Sequence, residues 1–371
     1  MRCLYLTQLL ISDNQITMKK QIKSILLISL ALCANIVSSQ DWHGNSRIRV
    51  INNIFSGDGE TTSRNRIGLN WGGQDWGVTL TGNHTYLLNA SENMEKTRIY
   101  EASLSTVLPF GLNLTGGRMA LHYGDGRIIG NDNWGNNGRT HDGVVLRYKG
   151  FVEIDVGLDA GNWAGDNWEY LYLSKSVYNW NFDGAYLDDE INNTATKGFA
   201  IDYIMMDDKL DLGIDYWNQT ACRNCNEDGD ASLIALSLDY KVGDNTTING
   251  GMDMFTAEDG RDWNASWGDY HQFNGAMDIT SFGSYQIEEM SGSWKDMYFG
   301  LGYVIDNWNI EADFHIFSDD ENNDLGGNEI DVSAKNKLND NVSYGIGCSL
   351  YTPNEGEENQ KWGYLEISIS L

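Results

Sequence analysis

The chain has 371 residues and a formal net charge of −28, with 53 Asp and Glu against 25 Lys and Arg. A surface this acidic repels the phosphate backbone of nucleic acids, so we expect no nucleic-acid partner. The composition is also rich in Gly (41), Tyr (19) and Trp (13) but contains only 2 Pro. Soluble chains carry about 5% Pro, and proline removes a hydrogen-bond donor from a sheet, so this depletion favours a closed sheet without free edges.

The first 39 residues have the pattern of a secretory leader. A basic stretch at residues 18–23 precedes an apolar run at 25–34 and small residues at 37–39, which makes Gln40 the expected mature N-terminus. The apolar run is too short to span a bilayer. Residues 1–17 fit no part of this pattern, so we expect the true start at Met18. Cys33 suggests a lipid anchor, but Leu32 stands where such an anchor wants a small residue.

From residue 40 to residue 371 the chain alternates apolar and polar residues and forms one predicted domain. Clear examples are residues 64–71, 76–83, 210–216 and 364–371. A period of two predicts β-strands with one apolar and one polar face. No other long apolar segment occurs, so we predict no transmembrane helix. We expect about eighteen strands, with a range of sixteen to eighteen, in an all-β fold.

Alternation alone also fits a soluble sandwich, and three further features favour a closed antiparallel transmembrane barrel in the outer membrane. Long polar loops alternate with tight turns, and the chain ends on a strand with apolar Leu371. Aromatic residues also cluster near predicted strand ends, where interfacial girdles lie. These aromatic residues are Trp71, Trp76, Trp163, Trp168, Tyr178, Trp180, Trp308 and Trp362.

The charge is distributed unevenly along the chain. Residues 40–149 hold 11 Lys/Arg and 10 Asp/Glu, whereas residues 150–371 hold 10 and 42. Much of the acid lies in runs at 226–230, 257–262 and 318–324. We interpret these runs as solvated loops, with divalent cations as candidate partners, although none has the full spacing of a calcium loop.

The basic residues occur in pairs that share a strand face. Their opposite faces are apolar, and an arginine facing lipid costs about 2–4 kcal/mol at the bilayer midplane, so we expect the pairs to face the lumen or to lie at its rim. A row of lumenal cations predicts an anionic solute, unless the cations only neutralise lumenal carboxylates. The pairs are Arg47 with Arg49, Arg64 with Arg66, and Arg147 with Lys149.

Cys222 and Cys225 lie in a polar stretch between two predicted strands. In an oxidising compartment this spacing fits a loop disulfide, free thiols or an incidental pair. A zinc site would need two more ligands, and none is close in sequence. We therefore expect no metal site and no cofactor.

Two stretches carry a family resemblance. Residues 100–143 contain Glu-Ala, Gly117-Arg118-Met119, a Tyr-Gly-Asp-Gly-Arg-Ile-Ile-Gly block at 123–130, Trp134, and a Gly-Arg-Thr-His-Asp-Gly segment at 138–143. Residues 271–278 read His-Gln-Phe-Asn-Gly-Ala-Met-Asp. Together they resemble the alginate-export family of outer-membrane porins. The first match covers about 45 residues with many fixed positions, while the remaining strands match only in pattern.

This resemblance implies a barrel of about eighteen strands whose cation-lined pore conducts a polyuronate. Carried over by position, Arg118, Arg127 and Arg139 are the expected pore arginines. The expected supporting residues are Glu101, Asp125 and Asp142, which would hold the arginines, together with Tyr123, His271 and Asp278.

The stretch also departs from the family pattern. Met119 stands where the family has Gln, and simple alternation puts Arg118 on the lipid face unless a bulge at residues 116–117 reverses it. The acidic second half of the chain also suits a polyanion channel poorly.

We therefore predict a porin for anionic solutes such as alginate-like polyuronates or oligosaccharides, in contact with outer-membrane lipid. A general diffusion porin and a secreted carbohydrate-binding sandwich are the alternatives. We do not expect an enzyme, because His141 and Asp142 are adjacent on a strand and point to opposite faces.

Overall fold

The computed structural model describes residues 40–51, 59–88, 95–159, 167–223, 225, 229–258, 261–264, 267–277, 292–319, 326–354 and 358–371. The expected leader and Trp163 lie outside these residues. The compact unit is Trp42–Leu371. No helix in the described part of the chain is long and apolar enough to cross a membrane.

The described residues form eighteen strands and two short 3-10 turns, at Pro109–Gly111 and Tyr270–Gln272. The strands are β1 (Gln40–Ile51), β2 (Glu60–Gly72), β3 (Trp76–Leu87), β4 (Glu95–Val107), β5 (Leu112–Met119), β6 (His141–Lys149), β7 (Glu153–Asp159), β8 (Trp168–Val177), β9 (Trp180–Asp189), β10 (Thr194–Met205), β11 (Leu210–Thr220), β12 (Ala231–Val242), β13 (Thr246–Ala257), β14 (Trp294–Ile305), β15 (Trp308–Asp319), β16 (Gly326–Lys337), β17 (Val342–Pro353) and β18 (Gln360–Ser370).

The strands close into one 18-stranded antiparallel barrel. Each strand pairs with its neighbours in sequence, and β1 pairs with both β2 and β18. In the closing pair, Asn45 lies opposite Ser370 and Ile51 opposite Tyr364. The closed fold and its eighteen strands confirm the prediction, and a two-sheet sandwich is not formed. Closure leaves every strand paired on both sides, which a sheet in hydrocarbon requires.

The alternation along each strand separates a lipid face from a lumen face. In β2, Ile67 is 61% exposed on the outside, whereas Arg66 is 9% exposed on the inside. In β18, Leu365, Ile367 and Ile369 form part of the same apolar outer surface. An apolar outer band around a polar lumen is the arrangement of an outer-membrane barrel, so the expected location is confirmed.

The aromatic girdle is only partly as predicted. Trp76, Tyr178 and Trp180 are exposed at the end of the barrel where the turns are short. Trp168 and Trp362, however, are buried, with only 6% and 8% of their surface exposed, and both belong to an apolar cluster inside the lumen. Their placement corrects the prediction, because a strand end supplies lumen-facing as well as lipid-facing positions.

Two connections at the other end of the barrel fold into the lumen. The first inner segment comprises residues 120–140, between β5 and β6. The second inner segment comprises residues 267–277, between β13 and β14. Ile129 of the first and Trp267 of the second are almost fully buried against the lumenal apolar cluster. Irregular backbone is tolerated at this depth because the barrel wall, not lipid, surrounds it.

Candidate functional site

Four of the predicted lumenal arginines occupy inward positions on β1 and β2. Arg47, Arg49, Arg64 and Arg66 are each at most 9% exposed. Their inward orientation agrees with the prediction. A fifth arginine, Arg98 on β4, joins them and was not among the predicted site residues.

We name Arg47, Arg49, Arg64, Arg66 and Arg98 the arginine wall. Its guanidinium groups bind the backbone of the first inner segment. Arg47 donates to the carbonyl oxygen of Trp134 at 2.8 Å, and Arg64 donates to that of Asn133 at 2.8 Å. Arg98 donates to the carbonyl oxygen of Gly138 at 2.8 Å. The arginine wall therefore anchors the first inner segment. Because a donor bound to a peptide carbonyl is not free for a solute, these hydrogen bonds also limit what the arginines can bind in the lumen.

Side-chain acceptors complete the same arrangement. Arg66 donates to the side-chain oxygen of Asn133 at 2.8 Å and to that of Asn83 at 3.1 Å. Arg49 pairs with Glu366 at 2.6 Å. The arginine wall thus binds carbonyl, amide and carboxylate oxygens. Neutralising a carboxylate is therefore only part of its role.

Arg127 of the first inner segment lies on the opposite side of the lumen, 8% exposed, among three carboxylates. It pairs with Asp253 at 2.6 Å and lies 3.5 Å from Asp215 and 3.6 Å from Asp125. Burial lowers the pKa of this guanidinium, but Asp253, Asp125 and Asp215 outweigh that effect and raise it above its ordinary value. The ring of Phe273 lies 4.0 Å beneath the same guanidinium. Arg127 is therefore a permanent cation within an acidic patch.

The two inner segments bind each other directly. The backbone N–H of Gly130 donates to the carbonyl oxygen of Trp267 at 2.6 Å, and Arg139 donates to that of Gly268 at 2.8 Å. The rings of Trp134 and His271 stack with centroids 3.8 Å apart. Arg139 and His271 thus serve the junction between the inner segments, which together narrow the lumen.

The second inner segment rests on an acidic wall formed by β13 to β16. Asn274 donates to Asp253 at 3.1 Å. The backbone N–H of Ala276 donates to Asp331 at 3.2 Å. Arginines therefore hold the first inner segment on one side of the lumen, while carboxylates hold the second inner segment and also Arg127 of the first.

A cavity of about 830 Å³ remains open between the inner segments and the barrel wall. Among the described residues that line it, only Arg127 and Lys335 are permanent cations, and His271 and His315 are the histidines. Nine lining residues are acidic: Asp125, Asp202, Asp211, Asp215, Asp239, Asp253, Glu311, Asp313 and Asp331. The open lumen is therefore acidic, whereas the arginines are engaged with backbone.

Arg118 lies on the outer face of the barrel, which corrects its expected lumenal position. It stands opposite Asp142 in the β5–β6 register and pairs with it at 2.5 Å, both side chains being exposed. Its neighbour Met119 is buried on the inner face. The register from Gly116 to Met119 runs without a shift, so the bulge that would have turned Arg118 inward is absent from this described strand pair.

Arg147 and Tyr123 form a compact network inside the barrel. Arg147 donates to Asp155 at 2.6 Å, and the phenol of Tyr123 donates to the same carboxylate at 2.7 Å. Burial raises the pKa of Tyr123 to about 12, so the phenol remains a donor. Lys149 lies 3.8 Å from Glu153 at an exposed turn.

The other supporting residues take different places. Glu101 accepts from Thr81 at 3.2 Å and holds no arginine in an ion pair among the described contacts. Asp125 supports Arg127 as expected. Asp142 supports Arg118, but on the lipid face. Asp278 lies outside the described residues.

Two further sequence expectations concern the loops. Cys222 and Cys225 form a disulfide, as one of the open alternatives predicted. The three acidic runs fall partly outside the described residues, so their cation binding stays a prediction. In the described part of the chain, no group of three or more His, Cys, Asp or Glu side chains could hold a metal ion.

Of the nine lining carboxylates only Asp125 was among the predicted site residues, although the signal of the other eight was present in the sequence. Asp211 and Asp215 alternate with Leu212 and Ile214, which face lipid. The same test that assigned the arginines to the lumen therefore assigns these acids to it as well.

Solved structures share this fold. OccAB4 of Acinetobacter baumannii matches with a TM-score of 0.70 at 11% identity, over 90% of this chain and 98% of that chain. OccK5 (OpdH) of Pseudomonas aeruginosa matches with a TM-score of 0.70 at 11% identity, over 90% of this chain and 98% of that chain. OpdK of the same organism, solved with vanillate, matches with a TM-score of 0.71 at 9% identity, over 90% of this chain and 98% of that chain. At such identities the likeness establishes the fold alone, a closed antiparallel barrel of 18 strands.

No protein-family model and no curated relative matches the sequence. The coarser prediction, a closed barrel of about eighteen strands, is supported by the solved structures. The finer resemblance to the alginate-export family stays a prediction.

Proposed function

We propose that this protein is an outer-membrane channel for small polar solutes, and that its open lumen prefers cations to anions. The observation that carries the proposal is the lining of the cavity of about 830 Å³, in which nine carboxylates face Arg127 and Lys335. Carboxylates around a narrow aqueous path raise the local concentration of cations and exclude anions. A channel rather than an enzyme is also what the porin barrel supports.

An anionic solute, expected from the arginine pairs and the family resemblance, is the competing proposal. It would need guanidinium groups that are free to bind carboxylates. Arg47, Arg64 and Arg98 instead donate to backbone carbonyls of the first inner segment. Vanillate, bound by OpdK, is also a carboxylate, and the acidic cavity gives no reason to carry it over to this chain.

The reversal potential of the purified channel in a planar bilayer tests the proposal. Under a KCl gradient we expect K⁺ to be more permeant than Cl⁻, and a trigalacturonate added to either side to leave the current unchanged. Preference for Cl⁻ with block by trigalacturonate would replace this proposal with the polyuronate channel. A permeability ratio close to the ratio of the ion mobilities in water would indicate a general diffusion porin.

A further inference from the structure

Five polar residues on the lumen wall stand in one transverse row across the barrel. Asp211 on β11 lies opposite Asp239 on β12, which lies opposite Asn249 on β13. Asn249 lies opposite Gly300 on β14, Gly300 opposite Asp313 on β15, and Asp313 opposite Asp331 on β16. We name Asp211, Asp239, Asn249, Asp313 and Asp331 the carboxylate belt. All five line the cavity of about 830 Å³.

Gly300 occupies the remaining position of the row, between Asn249 and Asp313, and the belt depends on its lack of a side chain. A Cβ at Gly300 would overlap with the side-chain oxygens of both Asn249 and Asp313. The side chains of Asn249 and Asp313 both extend into the space above Gly300. The row is therefore continuous over six neighbouring strands.

The belt presents oxygen atoms that have no donor in the described protein. The Oδ1 atoms of Asp211, Asn249 and Asp331 are each buried without a hydrogen-bond partner, and Asp331 is only 8% exposed. Asp253, 1% exposed in the same cavity, also has an Oδ1 without a partner. A buried acceptor without a donor costs about 1–3 kcal/mol, so these atoms favour a ligand rich in N–H donors.

The belt is poorly neutralised by the protein itself. Asp211, Asp239 and Asp313 form no ion pair within 4.0 Å in the part of the chain that the structure describes. At the far end, Asp331 lies 3.9 Å from His315, whose other nitrogen is taken by Asp296 at 2.9 Å. Like charges placed directly opposite on neighbouring strands are destabilising unless a cation lies between them.

The spacing of the belt selects against a bare metal ion. Directly opposite Cβ atoms on paired strands are about 5 Å apart, and successive strands add about 4.8 Å each. No described group of three acidic side chains is close enough to hold a metal ion. An extended cation with two or more positive groups can contact several belt members at once.

We propose that the carboxylate belt is a binding site for organic cations with two or more ammonium groups, such as linear diamines. This inference rests on the proposed function and names the solute class that the channel binds. Each ammonium group supplies three N–H donors for the belt carboxylates that line the cavity. A solute that bridges Asp211 and Asp239 relieves their mutual repulsion as it binds.

Current block by amines in a planar bilayer tests the belt. The probes are 1,4-diaminobutane, n-butylamine and Mg²⁺, applied to the wild type and to Asp211→Asn/Asp239→Asn. We expect the diamine to block the wild type at least tenfold more tightly than n-butylamine, and the double variant to weaken diamine block about tenfold, which is about 1.4 kcal/mol. The matched control is Glu311→Gln, which removes one charge from the same cavity outside the belt and should change diamine block by less than about 1.5-fold.

The outcomes separate the belt from the proposed function. A cation-preferring wild type whose diamine block is equal in Asp211→Asn/Asp239→Asn and wild type overturns the belt and leaves the channel proposal standing. Block by Mg²⁺ that is as tight and as sensitive to the double variant overturns the assignment to organic cations. If the double variant does not insert into the bilayer, the single variant Asp239→Asn tests the belt. We expect it to weaken diamine block about threefold. An anion-preferring wild type overturns both.

Discussion

The guanidinium of Arg49 lies over the indole ring of Trp134, 3.5 Å from its centroid, and donates to the carbonyl oxygen of the same residue at 2.9 Å. One side chain thus binds both the ring and the backbone of the first inner segment. Stacking of a desolvated cation on an aromatic ring contributes about 2 kcal/mol. The position of the inner segment therefore depends on a planar, permanently charged group.

Arg49→Ala should loosen the first inner segment without opening the barrel. We expect amide hydrogen exchange at residues 131–138 to become about 30-fold faster, which corresponds to about 2 kcal/mol of local stability. Arg49→Lys is the matched control, because it keeps the charge but loses the planar stack, and it should fall between alanine and wild type. Unchanged exchange in Arg49→Ala would show that the remaining arginines hold the segment alone.

Gly130→Ala should separate the two inner segments. A Cβ at Gly130 would overlap with the carboxylate of Asp269, whose Oδ1 accepts from the backbone N–H of Asp132. Crowding of this kind costs about 1–3 kcal/mol, so we expect a lower temperature for the heat-induced shift in gel mobility and a larger single-channel conductance. Gly184→Ala is the control, because the nearest atom to its Cβ would be 3.7 Å away. Equal behaviour of the two variants would contradict the tight junction.

The alternation of apolar and polar residues predicts the barrel wall, but not the contents of its lumen. It assigns Arg47 and Arg64 to the inner face correctly. It says nothing of Asn133 or Trp134, whose carbonyls bind these arginines, because the path of an inner loop has no period in the sequence. The arginines therefore looked available for a solute.

The belt was hidden for a different reason. Asp239 and Asp313 each lie at an ordinary inward position, and only the register of several strand pairs brings them into one row. Shear between strands is not visible in any single strand. At Arg118, by contrast, simple alternation predicts the correct outer face, and the positional match to the family motif predicts the wrong one.

Arg118→Ala should leave ion selectivity unchanged. The Arg118–Asp142 pair lies on the outer face with side chains 39% and 57% exposed, and exposed ion pairs contribute about 0–1 kcal/mol. We expect the reversal potential under a KCl gradient to equal that of the wild type, with a small decrease in thermal stability. A shift of the reversal potential toward K⁺ would show that Arg118 contributes to the field of the pore after all.

Arg127→Gln, in contrast, should increase the preference for K⁺. The substitution removes a buried cation and leaves Asp253, Asp215 and Asp125 without their shared partner. Breaking a buried pair costs about 3–5 kcal/mol, so the variant should also shift its heat-induced mobility change to a lower temperature. Because neighbouring carboxylates raise the pKa of Arg127, the wild-type guanidinium stays charged, and the difference in selectivity should persist from neutral pH to pH 9.

Arg127→Lys is the matched control for this change, because it keeps a positive charge at the same position. We expect its reversal potential to stay close to that of the wild type. Its stability should fall, because a single ammonium group lacks the forked donors with which the guanidinium contacts all three carboxylates. Equal reversal potentials in wild type, Arg127→Gln and Arg127→Lys would mean that the acidic cavity does not set selectivity. The ions would then pass the lumen on a path away from Arg127.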